Sequence, residues 1–164
     1  MPSDITSNQS INIPTYISLF SCAGVGCYGF KMEGFSCIAS VELNARRLNV
    51  QKYNQKCKYD SGYICGDMTA QETKDLVFSE IDKWKRKEKL KKVDVLVATP
   101  PCQGISVQNH KKKDEINRNS LVVESVEMVE QIRPKVFVFE NVMAFEKMLC
   151  ITKDENEMKK RMVA

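Results

Sequence analysis

The residues in this chain best suited to covalent chemistry are Cys102 and Glu140. Cys102 lies in Pro100-Pro101-Cys102-Gln103-Gly104, directly after the apolar run Val93-Asp94-Val95-Leu96-Val97-Ala98. That run reads as a buried strand, and the two prolines, which fix φ and offer no N–H, end it. A thiol is thereby held at a stiff strand-to-loop junction, where open α/β sheets place their chemistry. Glu140 closes a second β-prone run, Lys135-Val136-Phe137-Val138-Phe139, which follows Pro134 and continues into Glu140-Asn141-Val142. Carboxylates seldom end a buried strand without a partner or a task. Taken singly, Cys102 also suits a structural thiol, and Glu140 a capping or surface carboxylate.

The elements that must position this pair alternate regularly. A polar segment over residues 1–13 is expected to be disordered. Strands are predicted over about 15–21, 35–41 and 62–65, with helices over about 26–33, 44–54 and 70–90. In the long helix Val77, Ile81 and Trp84 share one face and read as plain core. The Cys102 strand follows. A polar loop is then expected to about Asn119, a helix to Ile132, and the Glu140 strand last. Alternating strands and helices predict an α/β fold with a doubly wound, mainly parallel sheet.

Three of the predicted strand ends carry a second signal. The first turn, Ser21-Cys22-Ala23-Gly24-Val25-Gly26-Cys27-Tyr28-Gly29-Phe30, has glycines at the spacing of a dinucleotide fingerprint. Such glycines permit close backbone approach to a ligand at a helix N-terminus. Glu42 ends the second strand, placed to accept from ribose hydroxyls, and Gly66-Asp67 ends the third, where an acid can receive an adenine amino group. The set suits an adenosine-containing ligand. By itself it does not separate a nicotinamide cofactor from S-adenosylmethionine.

Composition narrows the classes. The chain has 164 residues, 43% of them hydrophobic and 28% charged, which fits one soluble domain with a real core. It contains no apolar stretch long enough to span a membrane, and no basic segment followed by an apolar one at the N-terminus, so neither a membrane partner nor a signal peptide is expected. The seven cysteines are scattered. Neither Cys22 with Cys27 nor Cys57 with Cys65 has zinc-site spacing, so free thiols in a reducing interior and no metal are expected. His110 is the only histidine, which nearly excludes His-based metal sites and Cys-His or Ser-His catalysis. The net charge is +4 overall, but residues 83–92 alone carry seven Lys or Arg against one Glu, leaving the remainder net −2. Such a run reads first as a solvated helix face, and less directly as a nucleic-acid contact. Lys111-Lys112-Lys113 forms a smaller cluster just after Cys102.

Taken in order, Leu19-Phe20-Ser21-Cys22-Ala23-Gly24-Val25-Gly26, Glu42, Gly66-Asp67, Pro100-Pro101-Cys102-Gln103-Gly104 and Glu140-Asn141-Val142 resemble the cytosine-C5 DNA methyltransferase family. The resemblance covers about residues 15–150. It implies a Rossmann-like fold of the S-adenosylmethionine-dependent methyltransferase type. It also implies methyl transfer from S-adenosylmethionine to C5 of a cytosine flipped out of duplex DNA. Cys102 would attack C6 and Glu140 would hold and protonate N3. Phe20, Ala23, Gly24, Gly26, Glu42, Asp67, Pro100 and Leu121 would bind the cofactor. Gln103, Gly104, Ser106, Arg118 and Asn141 would contact the substrate, with residues 103–118 as a mobile loop over the target.

The family pattern continues past its Glu-Asn-Val strand. It has an arginine-bearing motif, two further strands, a target-recognition region and a last helix that returns to the cofactor. The chain is therefore expected to be truncated after the fifth strand. Residues 14–150 would form the N-terminal part of the catalytic domain, and 151–164 a short helical or disordered tail. Activity would need the missing C-terminal portion or a complementing chain, and association through the uncovered strand at Val136–Phe139 is expected. The alternatives are the same chemistry on RNA, an inactive cofactor-binding remnant, or a nicotinamide-dependent dehydrogenase. The resemblance suits a restriction-modification role, in the cytoplasm beside the nucleoid in a prokaryote or in the nucleus of a eukaryote.

Overall fold

The computed structural model describes residues 13–101 and 112–141 and the short strands at 149–150 and 160–161; of 112–120 and these two strands it describes the backbone alone. Five parallel strands run through its centre: β1 (Thr15–Leu19), β2 (Ser36–Glu42), β3 (Tyr63–Cys65), β4 (Val95–Ala98) and β5 (Val136–Phe139). Their order is β3-β2-β1-β4-β5. The chain first winds outward from β1 through β2 to β3, then returns to the other side of β1 for β4 and β5. The reversal falls between β1 and β4.

β1 is buried along its whole length and β2 along all but its first residue, as strands covered on both faces must be. On one face α1 (Tyr28–Met32) and α2 (Ala45–Tyr53) flank a cluster with Tyr16, Cys37, Leu48 and Val97. Tyr16 stacks on Phe30 there, with ring centroids 5.2 Å apart. The larger cluster takes Ile17, Leu19, Ile38, Ile64 and Leu96 from the strands. It packs them against Val77, Ile81 and Trp84 of α3 (Gln71–Lys87) and Met128 of α4 (Lys112–Ile132). The three α3 residues are core, as their spacing predicts.

Local chemistry explains the element ends. The Asn44 side chain caps α2 by accepting from the amides of Arg46 (2.9 Å) and Arg47 (3.4 Å). Gly66 must be glycine, because a Cβ would lie 2.3 Å from the Thr73 hydroxyl of α3. The α2–β3 connection closes through a short 3-10 turn at Asp60–Gly62. The described cysteines Cys22, Cys27, Cys37, Cys57 and Cys65 are all free.

Two expectations are corrected. The polar stretch expected to be loop as far as Asn119 is helical from Lys112 onward. Polarity does not break helices; glycine and proline do, and neither occurs between Gly104 and Pro134. Oppositely charged residues four apart, such as Asp114 and Arg118, favour helix there. In the tail, expected to be a short helix or disordered, Lys160–Arg161 forms a strand antiparallel to Leu149–Cys150. Among the described residues the structure agrees with the expectation of an uncovered strand: there β5 borders only β4, and Val136, Phe137 and Val138 are 54%, 57% and 40% exposed.

The N-terminal edge of the sheet is tied by Asp94. One carboxylate oxygen accepts from the Thr15 amide (2.8 Å) and hydroxyl (2.9 Å), and the other meets the Lys135 ammonium at 2.6 Å. Partial burial alone would raise this carboxyl, but Lys135 and Thr15 hold it below the usual carboxylate range. Its contribution to stability is therefore full above that range and is lost as pH falls through the folded value. Asp94→Asn should destabilise the fold by about 1–2 kcal/mol at neutral pH and much less in acid. Urea midpoints of parent and variant, measured down a pH series, should converge as the medium becomes acidic.

Candidate active site

All five parallel strands deliver residues to one cleft of about 460 Å³ at their C-terminal ends. That volume falls within the few hundred to roughly a thousand Å³ typical of small-ligand sites. Phe20 and Cys22 enter from the end of β1, Glu42 and Leu43 from β2, and Gly66, Asp67 and Met68 from β3. Thr99, Pro100 and Pro101 enter from β4, and Glu140 and Asn141 from β5. Leu121 of α4 and Arg47 of α2 complete the walls. The cleft lies at the point where the strand order reverses, the usual ligand position in open α/β sheets.

The β1 turn that enters this cleft is held in an unfavourable conformation. Phe20 and Cys22 have φ of 55° and 49°, in the left-handed region that side chains disfavour. Buried polar groups hold it there. The Thr99 hydroxyl donates to the Phe20 carbonyl (2.9 Å), and the Ser21 amide and hydroxyl both donate to the Val41 carbonyl (2.9 and 3.0 Å). The side-chain amide of Gln51, 1% exposed, donates to the Ser21 hydroxyl (2.8 Å) and the Cys22 carbonyl (2.6 Å) and accepts from Ser40 (2.5 Å). Gly24 follows at φ 88°, and a Cβ there would sit 3.1 Å from the Gln51 side chain.

The acids are fixed to different degrees. Glu42 is 7% exposed. Its two oxygens accept from the Cys22 and Asn44 amides, at 2.9 Å each, and Arg47 stands 3.8 Å away. Each oxygen of an ionised carboxylate has a second acceptor position, so Glu42 can still receive a ligand hydroxyl. Asp67 is exposed, and one oxygen accepts from both the amide and hydroxyl of Thr69, at 2.9 Å each. Glu140 is exposed and is registered by its amide, which donates to the Ala98 carbonyl (3.1 Å). The Asn141 amide donates to the Pro100 carbonyl (3.2 Å) and so ties the end of β5 to the Pro-Pro corner. Asn141 thus has a bracing contact of its own, apart from the substrate contact expected of it.

Among the sequence-predicted residues, the structure brings Phe20, Glu42, Asp67, Pro100, Leu121, Glu140 and Asn141 together in the cleft. Ala23 and Gly24 instead line a second hollow of about 380 Å³ behind the turn, with Tyr16 and Lys56. Gly26 lines neither, and a Cβ there would meet nothing within 4 Å. Cys102, Gln103, Gly104 and Ser106 lie outside the described residues, and Arg118 is placed only as backbone within α4, not in a loop. Cys102 is the next residue after Pro101, itself in the cleft wall. Sequence reasoning missed Cys22, Arg47, Thr99 and Gln51. Only Gln51 left a signal: it stands three residues after Leu48, on what is otherwise the buried face of α2. Among the described residues no group of three or more His, Cys, Asp or Glu could hold a metal ion. Nor is any helix among them long and apolar enough to cross a membrane.

A family model described as C-5 cytosine-specific DNA methylase matches residues 15–162. The chain is 34% identical over 128 residues to the type II methyltransferase M.DdeI of Desulfomicrobium norvegicum, covering 77% of this chain and 27% of that protein. It is 33% identical over 130 residues to M.XorII of Xanthomonas oryzae pv. oryzae, covering 79% and 28%. To M.AquIA of a Picosynechococcus it is 35% identical over 126 residues, covering 77% and 47%. The chain thus spans roughly a quarter to a half of the length of these relatives. A solved E. coli structure described as a prophage-encoded DNA modification methyltransferase superposes with a TM-score of 0.55 at 25% identity, over 79% of this chain and 32% of that one.

Gln51 is the residue on which the β1 turn most depends. Gln51→Leu keeps similar bulk but leaves the Cys22 carbonyl without its donor and removes one partner each from the Ser21 and Ser40 hydroxyls. It should cost about 1–3 kcal/mol of stability. A urea titration should show a lower midpoint with an unchanged slope.

Proposed function

The chain belongs to the C-5 cytosine-specific DNA methylase family, and on that premise we propose that it forms the cofactor-binding and nucleophile-bearing part of an enzyme that methylates C5 of cytosine in duplex DNA. The observation that carries this reading is the convergence of Glu42, Asp67, Pro101 and Glu140, from four strand ends, on one cleft. The nicotinamide alternative is set aside by the family assignment, and the family's description favours DNA over RNA.

S-Adenosylmethionine is the group the family implies, and when bound it supplies an electrophilic methyl carbon. The described residues fit it. Glu42, with spare acceptor positions on both oxygens, suits a ribose diol, and Asp67 suits an exocyclic amine. Phe20, Met68 and Leu121 give apolar walls for a purine. The roles of the chain's own residues follow from their chemistry. Cys102, as thiolate, adds to C6 of a cytosine turned out of the helix. Glu140 carries a proton to N3 and holds it there, which balances the electron pair that moves onto the ring and makes C5 nucleophilic. After methylation the C5 proton passes to solvent, the N3 proton returns to Glu140, and the C5–C6 double bond reforms as the Cys102 thiolate leaves. Gln103, Gly104, Ser106 and Arg118 are the residues we assign to the target base and its phosphates. The Asn141 amide, braced on Pro100, orients the corner that carries Cys102. We assign Ala23, Gly24 and Gly26 to the cofactor through the backbone of the turn.

The family resemblance places the target-recognition elements in sequence beyond this stretch, so the 164 residues alone should bind cofactor without turnover. Extruding a base costs a few kcal/mol that these elements must recover. We further propose that the complete activity sits in the cytoplasm with DNA, in a restriction-modification setting like that named for the type II relatives. Calorimetry with S-adenosylmethionine tests the cofactor site: Asp67→Ala should weaken binding roughly tenfold by removing a charged acceptor. Supplying the C-terminal portion of a relative should give tritium transfer from labelled S-adenosylmethionine to mixed-sequence DNA, with Cys102→Ser as the blank. Transfer that survives Cys102→Ser would refute the covalent route.

A further inference from the structure

The parallel sheet has a second edge, and its chemistry is the reverse of the cleft's. The loops that lead into β3, β4 and β5 all lie at the N-terminal ends of the strands. Together with the last turns of α3 they carry Lys58, the run from Lys83 to Lys92, and Arg133 with Lys135. These segments are joined to one another. Lys58 reaches Glu88 at 2.7 Å, and the Lys135 amide donates to the Val93 carbonyl at 3.0 Å. Three of the acids there are engaged: Asp82 by Lys85 (2.8 Å), Asp94 by Lys135 (2.6 Å), and Glu88 by Lys58 and the Tyr59 hydroxyl; Asp60, in the turn before β3, and Glu130, near the end of α4, are exposed. The hydrogen bonds from Lys58 and Tyr59 hold the Glu88 carboxyl below its usual range, so it stays ionised and bound to them. Arg86, Lys87, Lys89, Lys91, Lys92 and Arg133 are exposed and form no ion pair among the described residues.

We propose that this edge, formed by the end of α3 and the loops before β4 and β5, is a second DNA-binding surface that contacts the phosphates of a duplex without reading its bases. These six exposed cations outnumber the exposed acids Asp60 and Glu130 at the same edge, and a polyanion relieves their mutual repulsion and releases its own counterions. The choice of duplex DNA among polyanions rests on the function proposed above. The edge lies opposite the cleft, so a duplex held here is not the segment being methylated. The surface keeps the enzyme on DNA between encounters of the cleft with its target.

A duplex made only of alternating dA and dT separates the two sites, because it holds no cytosine. Fluorescence anisotropy with the full chain should show binding that weakens steeply with salt. The variant Arg86→Glu/Lys89→Glu/Lys91→Glu/Lys92→Glu should bind this duplex at least about tenfold more weakly, with a salt slope reduced by about 0.9 for each phosphate that is no longer neutralised. The corresponding Gln variant should give a smaller loss of the same sign, which guards against misfolding of the Glu variant. S-Adenosylmethionine binding should be unchanged in both. Equal duplex affinity in parent and Glu variant would overturn the proposal, as would tighter binding to phosphatidylserine vesicles than to the duplex at the same salt. A chain that binds the duplex through this edge but fails to bind S-adenosylmethionine would uphold the surface and refute the cofactor reading.

Discussion

The site depends on how the chain leaves β1. Two non-glycine positions in the left-handed region, Phe20 and Cys22, flank Ser21. Each such residue costs on the order of 1–2 kcal/mol, so an isolated peptide would relax. The turn persists because its carbonyls and hydroxyl are bonded inside the fold: Phe20 to Thr99 of the β4 end, Ser21 to Val41 of β2, and Cys22 to Gln51 of α2. Three elements thus converge on one short segment. The Cys22 amide, fixed by that conformation, donates to Glu42 and sets the position of the acid. The cleft's acid is therefore placed by the strain of the neighbouring turn, and the strain is tolerated because a buried amide satisfies the groups it exposes.

The same lacing continues toward the residues that precede Cys102. Thr99 bonds both Leu19 and Phe20, so the β4 end cannot shift without the β1 turn. Asn141 bonds Pro100, so the β5 end moves with it. Two prolines restrict the backbone just before Cys102. Positional precision matters because a misplacement of about an ångström can cost two orders of magnitude in rate. On α3 and α4, Lys74 with Glu124 forms a buried ion pair that fixes α4, and with it Leu121, against the sheet. Removing one partner of such a pair is costly, since it strands the other charge.

Much of this was legible in the residues. Apolar runs ending in Glu42, Pro100-Pro101 and Glu140 marked strand ends, because a charge or a proline cannot continue a doubly covered strand. Alternation of strands with helices pointed to the parallel topology. The start of α4 was not legible, because a polar, charged stretch such as 112–119 suits a solvated helix as well as a loop. Gln51 left only a faint signal, its place three residues after Leu48, because a helix of mixed polarity marks its inward face weakly. Arg47 and Thr99 carry no motif, and their place follows from three-dimensional register alone. Ala23 and Gly24 show what a motif leaves open: the glycine pattern was plain, yet a spacing says nothing of which side of the turn its residues face, and these two line the hollow behind it.

The separation of charge between the two edges has one physical origin. In a doubly wound sheet every helix begins at the C-terminal edge of the strands and ends at the N-terminal edge. The helix N-termini present free amides and partial positive charge to the cleft. Glu42 uses this directly, accepting from the Asn44 amide at the start of α2. Acids at that edge are stabilised without a matching cation for each, which leaves acceptor capacity for a ligand. The helix C-termini present partial negative charge at the other edge, and Lys85, Arg86 and Lys87 in the last turn of α3 answer it. A field of this kind favours a few cations at a helix end but does not call for the further lysines at 89, 91 and 92, which lie past the last turn. Their repulsion is unrelieved by the helix, and a polyanion bound at that edge supplies the missing counter-charge.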